Sequence, residues 1–106
     1  MILTVFRFAP EYNDELNILA DFLNDNPETY VVLTGFTDNA GSPEYNLGLA
    51  RRRAESVEAY LVDKFNVNVS RIVTQWYGIA DPVAGNDTSD GRRQNRRVES
   101  IVMGFD

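Results

Sequence analysis

Residues 29–64 read TYVVLTGFTDNAGSPEYNLGLARRRAESVEAYLVDK, and their character changes twice. The opening TYVVLTG (29–35) is a near-continuous run of β-branched and apolar residues, the pattern of a strand covered on both faces. GFTDNAG (35–41) is built from turn formers, with Asp38 as its lone carboxylate between Gly35 and Gly41. From about Pro43 to Lys64 the apolar residues recur at helical spacing, and proline suits a first helical turn. At about 100° per residue, Ala50, Ala54, Val57 and Leu61 share roughly 60° of arc and form the stripe that this helix buries. The two glycines are expected to let the chain turn tightly from strand to helix.

Working outward, ILTVFRF (2–8) reads as a first strand. Pro10 opens a helix whose Leu16, Leu19, Ala20 and Leu23 make one apolar stripe, and Asn26-Pro27 ends it. NVNVS (66–70) is a connector, RIVTQWYG (71–78) a third strand and RRVESIVM (96–103) a last one. Between those two strands, GIADPVAGNDTSDGRRQN (78–95) reads as a long loop rich in Gly, Asp, Asn and Pro. The order is β-α-β-α-β-loop-β, ending in what reads as a strand pair. This predicts an α+β chain, a β-α-β-α-β-β sandwich with its helices packed on a mixed four-stranded sheet. No internal repeat or low-complexity tail interrupts it, so residues 1–106 read as a single domain.

The composition is that of an ordinary soluble globular chain, 43% hydrophobic and 25% charged. No run approaches the ~18 apolar residues of a membrane span, so direct membrane insertion is not expected. MILTVFRF lacks a basic leader and a small-residue cleavage site and is not read as a signal peptide. If the protein works outside the cytoplasm, the expectation is that this sequence is a fragment or a processed form. With no Cys and no His, disulfides, thiol chemistry and nucleophile–base arrangements fall away, and so does the commonest metal ligand.

Charge is unevenly spread over the net of −6. Residues 1–50 hold eight acids and one base, whereas residues 51–106 hold nine bases and eight acids. The bases cluster as RRR (51–53) and within GRRQNRR (91–97). An acidic chain with arginine in two places suggests a local anion site, not a nucleic-acid face. The helical wheel then separates the three arginines. Arg52 points away from the buried stripe as a solvated charge. Arg51 sits one turn before Glu55, the spacing of a surface ion pair. Arg53 lies on a ridge with Asn46 and Leu49 that runs back toward the Asp38 turn. Two readings of Asp38 and Arg53 stay open at this level. They form an isolated salt bridge, or they form a clamp in which Asp38 takes an ammonium and Arg53 a carboxylate. Helix-start N–H groups near Gly41 to Glu44 would favour the carboxylate. Strand alternation sends Arg96 and Arg97 to opposite faces, so at most one joins such a site. Arg97 reads as a surface charge and Asn95 as a turn former.

Other chemistries find no footing. GFTDNAG has no Lys-Ser/Thr and is not a Walker-type phosphate loop. DTSDG (87–91) lacks the alternating acids and terminal Glu of a calcium loop. No carboxylate shows the apolar surround that would raise its pKa for acid–base work. The chain reads as a non-enzyme without metal or cofactor.

Two segments do resemble a known family. TGFTDNAGSPEYNLGLARRRAESVEAYL is similar to the G-[HFY]-T-D-x-x-G-x-x-x-Y-N-x-x-L-S-x-x-R-A-x-x-V signature of the OmpA-like, peptidoglycan-associated domain. GIADPVAGNDTSDGRRQNRRVE resembles its G-x-x-x-P-x-x-x-N-x-T-x-x-G-R-x-x-N-R-R-V-E signature. The resemblance implies non-covalent binding of peptidoglycan through the diaminopimelate of its stem peptide, anchoring the outer membrane or an envelope protein to the cell wall. It implies a periplasmic domain of a larger envelope protein. Residue by residue, Asp38 and Arg53 would hold the ammonium and carboxylate at one end of diaminopimelate. Arg96 and Asn46 would support the pocket, Leu49 would line the aliphatic chain, and Thr37, Gly41 and Asn95 would shape it. The commoner His of the first signature is Phe36 here, its Ser is Ala50, and a Gly before the second is Trp76, placed either at the sheet edge or narrowing the pocket. FRFAPEYNDEL (6–16) looks abbreviated against the family's first strand-to-helix loop. The alternative is a protein-interaction or dimerisation module of the same fold with a weakened peptidoglycan site. The oligomeric state is open, a homodimer included.

Overall fold

A computed structural model describes residues 1–8, 13–37, 41–78, 88, 91 and 95–104. Its elements are β1 (Ile2–Phe8), α1 (Asn13–Asp25), β2 (Thr29–Phe36), α2 (Pro43–Phe65), a 3-10 turn (Val69–Arg71), β3 (Ile72–Gly78) and β4 (Val98–Gly104). Pro10, Asp38 and nearly all of the 78–95 loop lie outside the described residues.

The four strands form one mixed sheet in the order β1-β4-β2-β3. β4 runs antiparallel to both β1 and β2, and β2 runs parallel to β3. The expected terminal strand pair is therefore absent: β4 slots between β1 and β2 instead of pairing with β3. Parallel neighbours need a crossover, and α2 supplies it between β2 and β3. Both helices pack on one face of this sheet and touch each other. Leu16, Leu19, Ala20 and Leu23 of α1 and Val57 and Leu61 of α2 close over Val31, Leu33, Val98 and Val102. Ala50 and Ala54 are fully buried as well, so the whole predicted α2 stripe faces inward.

Among the described residues α1 and α2 cover the same sheet face, which corrects the reading of β2 as a strand covered on both. Tyr30 and Val32 alternate with buried Val31 and Leu33 and are only half-buried. The run of β-branched and apolar residues in β2 reflects a central strand with neighbours on both sides, β4 and β3.

Gly35 likewise differs from its expected part. It lies inside β2, not in a turn, and a Cβ there would meet the Ala50 carbonyl oxygen at 2.0 Å. The missing side chain lets α2 rest directly on the strand. Gly41, by contrast, has φ +87, a conformation that side chains disfavour. Just after it, Ser42 caps α2 by accepting a hydrogen bond from the Tyr45 amide, with Pro43 following at the first turn. Asn66 ends α2 in the left-handed region, its amide bonded to the Val62 carbonyl while the Val67 amide bonds to Leu61.

Arg71 belongs to the 3-10 turn, not to a strand. Its Nε donates to the Thr29 carbonyl at 2.7 Å, and its Nη2 donates to the Leu23 and Asn26 carbonyls at 2.8 and 3.0 Å. One guanidinium thus satisfies the Leu23 carbonyl, which the last turn of α1 leaves without an intrahelical partner, and ties it to the Asn26–Thr29 link into β2.

Candidate functional site

The carboxyl ends of β2 and β3, the start of α2 and the run-in to β4 meet at one end of the sheet. Phe36 is the joint. Its amide donates to the Arg97 carbonyl at 2.9 Å, and its own carbonyl accepts from Arg53 Nη1 at 3.3 Å. Gly35 faces Ala50 of α2, so by alternation the Phe36 ring lies on the sheet face away from the helices. The Arg97 guanidinium sits over that ring, 3.9 Å from its centroid, and Tyr77 approaches it at 6.0 Å.

Arg97 is therefore not the surface charge that its sequence suggested. It is 3% exposed, and its Nε donates to Glu99 Oε2 at 2.7 Å. A cation is buried here because carboxylate and aromatic face together replace its hydration. Alternation had separated Arg97 from Arg96. What it lacked was the register, which lays Val98 beside Gly35 and so brings Arg97 to Phe36. Strand β4 begins only at Val98; Asn95 is helical, as is Gly91, rather than the turn former of a loop, and Arg96 and Arg97 lead from it into the strand. Asn95 is fully buried, its carbonyl accepting a longer bond from Arg97 Nη1 at 3.4 Å, and Arg96 is half-buried.

On the helix side, the ridge expected from the wheel is present. Asn46 is 1% exposed, and Leu49 and Arg53 are half-buried. Among the described residues, Asn46 Nδ2 is buried without a hydrogen-bond partner. A buried amide donor left unpaired costs stability, so this atom calls for an explanation. Thr37 is buried at the end of β2, immediately before Asp38, which lies outside the described residues. Gly41, just before the start of α2, has its Cβ direction toward Tyr45 and Asn46. The structure thus brings Thr37, Gly41, Asn46, Leu49 and Arg53 to one end of the fold, with Asn95 and Arg96 joined to it through Phe36 and Arg97. The Thr88 hydroxyl, in the second signature, accepts from the Gly91 amide at 2.9 Å.

The other two arginines of RRR do as the wheel predicted. Arg52 is exposed, and Arg51 pairs with Glu55 at 3.4 Å. Arg51 also lies 5.1 Å from the Trp76 ring. Of the two placements open for Trp76, it takes the sheet edge, on β3 beneath the flank of α2.

The family model for OmpA matches residues 5–96. The chain belongs to the OmpA family. It is similar to outer membrane porin F of Pseudomonas aeruginosa, at 41% identity over 88 residues that cover 83% of this chain and 25% of the porin. It is also similar to the peptidoglycan-binding protein ArfA of Mycobacterium tuberculosis, at 42% over 87 residues, 82% of this chain and 26% of that protein. Among solved structures, the peptidoglycan-associated lipoprotein from Burkholderia pseudomallei superposes with a TM-score of 0.80 at 30% identity, covering 88% of this chain and 78% of that one. This OmpA-family chain spans about a quarter of the length of the porin and of ArfA.

Proposed function

We propose that this chain is a binding module, without catalytic activity, that holds bacterial peptidoglycan non-covalently from the periplasm as one domain of a larger cell-envelope protein. Its ligand is the diaminopimelate of the stem peptide. Asp38 accepts from the ligand ammonium and Arg53 grips the carboxylate. Asn46 and Arg96 support that grip, Leu49 lies along the aliphatic chain, and Thr37, Gly41 and Asn95 shape the pocket. Support comes from family membership and from relatives whose names carry peptidoglycan binding. The observation that carries most weight is Asn46 Nδ2, a buried donor with no partner among the described residues, one ridge position from Leu49 and two from Arg53. Such a donor is accounted for if a ligand oxygen completes it. The positive end of the 23-residue α2 adds to the attraction for a carboxylate.

Calorimetry with a soluble muropeptide containing diaminopimelate tests this. Asp38→Ala and Arg53→Ala should each lose about 2–5 kcal/mol of binding, the usual cost of orphaning one partner of a desolvated charge pair. Unchanged affinity in both variants removes the clamp. Amidating the diaminopimelate carboxylate should weaken binding as well, since Arg53 then loses its anion.

One observation favours a second reading, an interaction or dimerisation module. The sheet face away from α1 and α2 exposes Val5 and Val73 by 50% and 49%, and Ile2 and Leu3 of the edge strand are 59% and 44% exposed. Failure to sediment with purified sacculi, together with a dimer in analytical ultracentrifugation, would establish this reading over the first.

A further inference from the structure

The two arginines at the site end hold the same residue from opposite sides of the sheet. Arg53 reaches the Phe36 carbonyl from the helix side at 3.3 Å. Arg97 covers the Phe36 ring from the other side at 3.9 Å, and its carbonyl takes the Phe36 amide at 2.9 Å. We infer that Arg97 is a positioning residue of the binding site, one that sets the Arg53 guanidinium by clamping Phe36 and tying the Asn95–Arg96 segment to the end of β2.

Arg97 does not act by touching a ligand on the Arg53 ridge. It is 3% exposed and occupies the opposite sheet face. Its own placement is over-determined. Glu99 anchors Nε at 2.7 Å, the aromatic face fixes the plane of the guanidinium, and the Asn95 carbonyl receives Nη1. Planar delocalised charge suits a stack on an aromatic ring in a way that a lysine ammonium does not. Each of these restraints passes to Phe36, the last residue of β2, where the strand gives way to Thr37 and Asp38. The carbonyl that accepts from Arg53 belongs to that same residue. A strand end with its ring unclamped can rotate about its backbone, and the Arg53 acceptor rotates with it.

The second family signature ends in two consecutive arginines, and the fold divides their work. Arg96 remains half-buried beside the site, whereas Arg97 is turned under the sheet as a brace. This deepens the peptidoglycan-binding reading and rests on it for the affinity consequence, but not for the effect on Arg53.

Two variants separate positioning from bulk stability. Arg97→Met keeps volume against Phe36 and removes charge, stack and the Glu99 pair, and Arg97→Lys keeps charge alone. The first readout is the Arg53 side-chain Nε–Hε resonance of the ligand-free protein, assigned by its loss in Arg53→Lys. Both variants should shift it. The second readout is affinity for a diaminopimelate muropeptide against its carboxyl-amidated counterpart. Arg97→Met should weaken the free-acid ligand about fivefold or more, leave the amidated ligand nearly unchanged, and be non-additive with Arg53→Lys. An unmoved Arg53 resonance overturns the inference, as does an equal loss for both ligands, which marks general destabilisation. If Arg97→Met does not fold, Glu99→Gln removes the anchor while keeping the stack and is read the same way. If the wild-type protein binds neither ligand, the peptidoglycan reading fails, and the Arg53 resonance still decides the role of Arg97.

Discussion

The Arg97 guanidinium lies 3.9 Å from the centroid of the Phe36 ring, a cation stacked on an aromatic face. Phenylalanine gives this contact no titrating group. Phe36→His should make stability pH-dependent, with a sign set by Arg97. The guanidinium disfavours imidazolium, so the folded-state pKa falls below the unfolded value of about 6.5. Glu99 offsets part of this field but is itself bound to Arg97. A depressed histidine pKa means that the unfolded state binds more protons as pH drops. The variant should therefore lose stability relative to wild type on going from pH 8 to pH 5. Urea denaturation at both pH values checks this, and identical pH profiles would contradict it.

Asn46 should separate stability from binding. Its Nδ2 is buried and has no partner among the described residues, so that donor contributes desolvation cost without a hydrogen bond there. Asn46→Leu should weaken muropeptide binding about tenfold, the loss of a hydrogen bond to a charged group, without lowering the melting temperature. A variant that binds normally would show that the donor is not used.

Gly35 is the contact point between β2 and α2. Gly35→Ala forces a Cβ against the Ala50 carbonyl oxygen, which is backbone and cannot swing away. The expected cost is at the upper end of the roughly 1–3 kcal/mol typical of overpacking. Because α2 also carries Arg53, ligand affinity should fall with it. Chemical denaturation and calorimetry on one sample test both, and wild-type stability would mean that the helix moves freely off the strand.

Arg71 should behave in the opposite way to Arg97. It binds the Leu23, Asn26 and Thr29 carbonyls, at the end of the fold away from the site. Arg71→Ala should lose about 2–3 kcal/mol of stability by stranding carbonyls that a charged donor had satisfied. Below the lowered melting temperature, muropeptide affinity should remain that of wild type. A loss of affinity at constant foldedness would refute this division between the two ends.

Both helices and their buried stripes were legible because they depend on short-range periodicity. Once residues 43–64 are helical, the 3.6-residue repeat alone puts Ala50, Ala54, Val57 and Leu61 inside, Arg52 outside and Arg51 beside Glu55. The same repeat aligned Asn46, Leu49 and Arg53 on one ridge, so the helical part of the candidate site could be read without a fold. The turn residue Gly41 was legible for a similar local reason, its positive φ.

Strand pairing was decided by the tertiary structure alone. Alternation tells which side chains share a face but not which strand lies beside them. Placing β4 between β1 and β2 laid Val98 against Gly35 and Arg97 against Phe36, and so converted an apparent surface arginine into a buried brace. Gly35 looked like a turn former for the same reason: the atom that excludes its side chain belongs to a helix that must first dock. Local sequence determined what each segment is and which residues each face carries. The long-range hydrogen-bond register, which no segment encodes by itself, decided which of those faces meet.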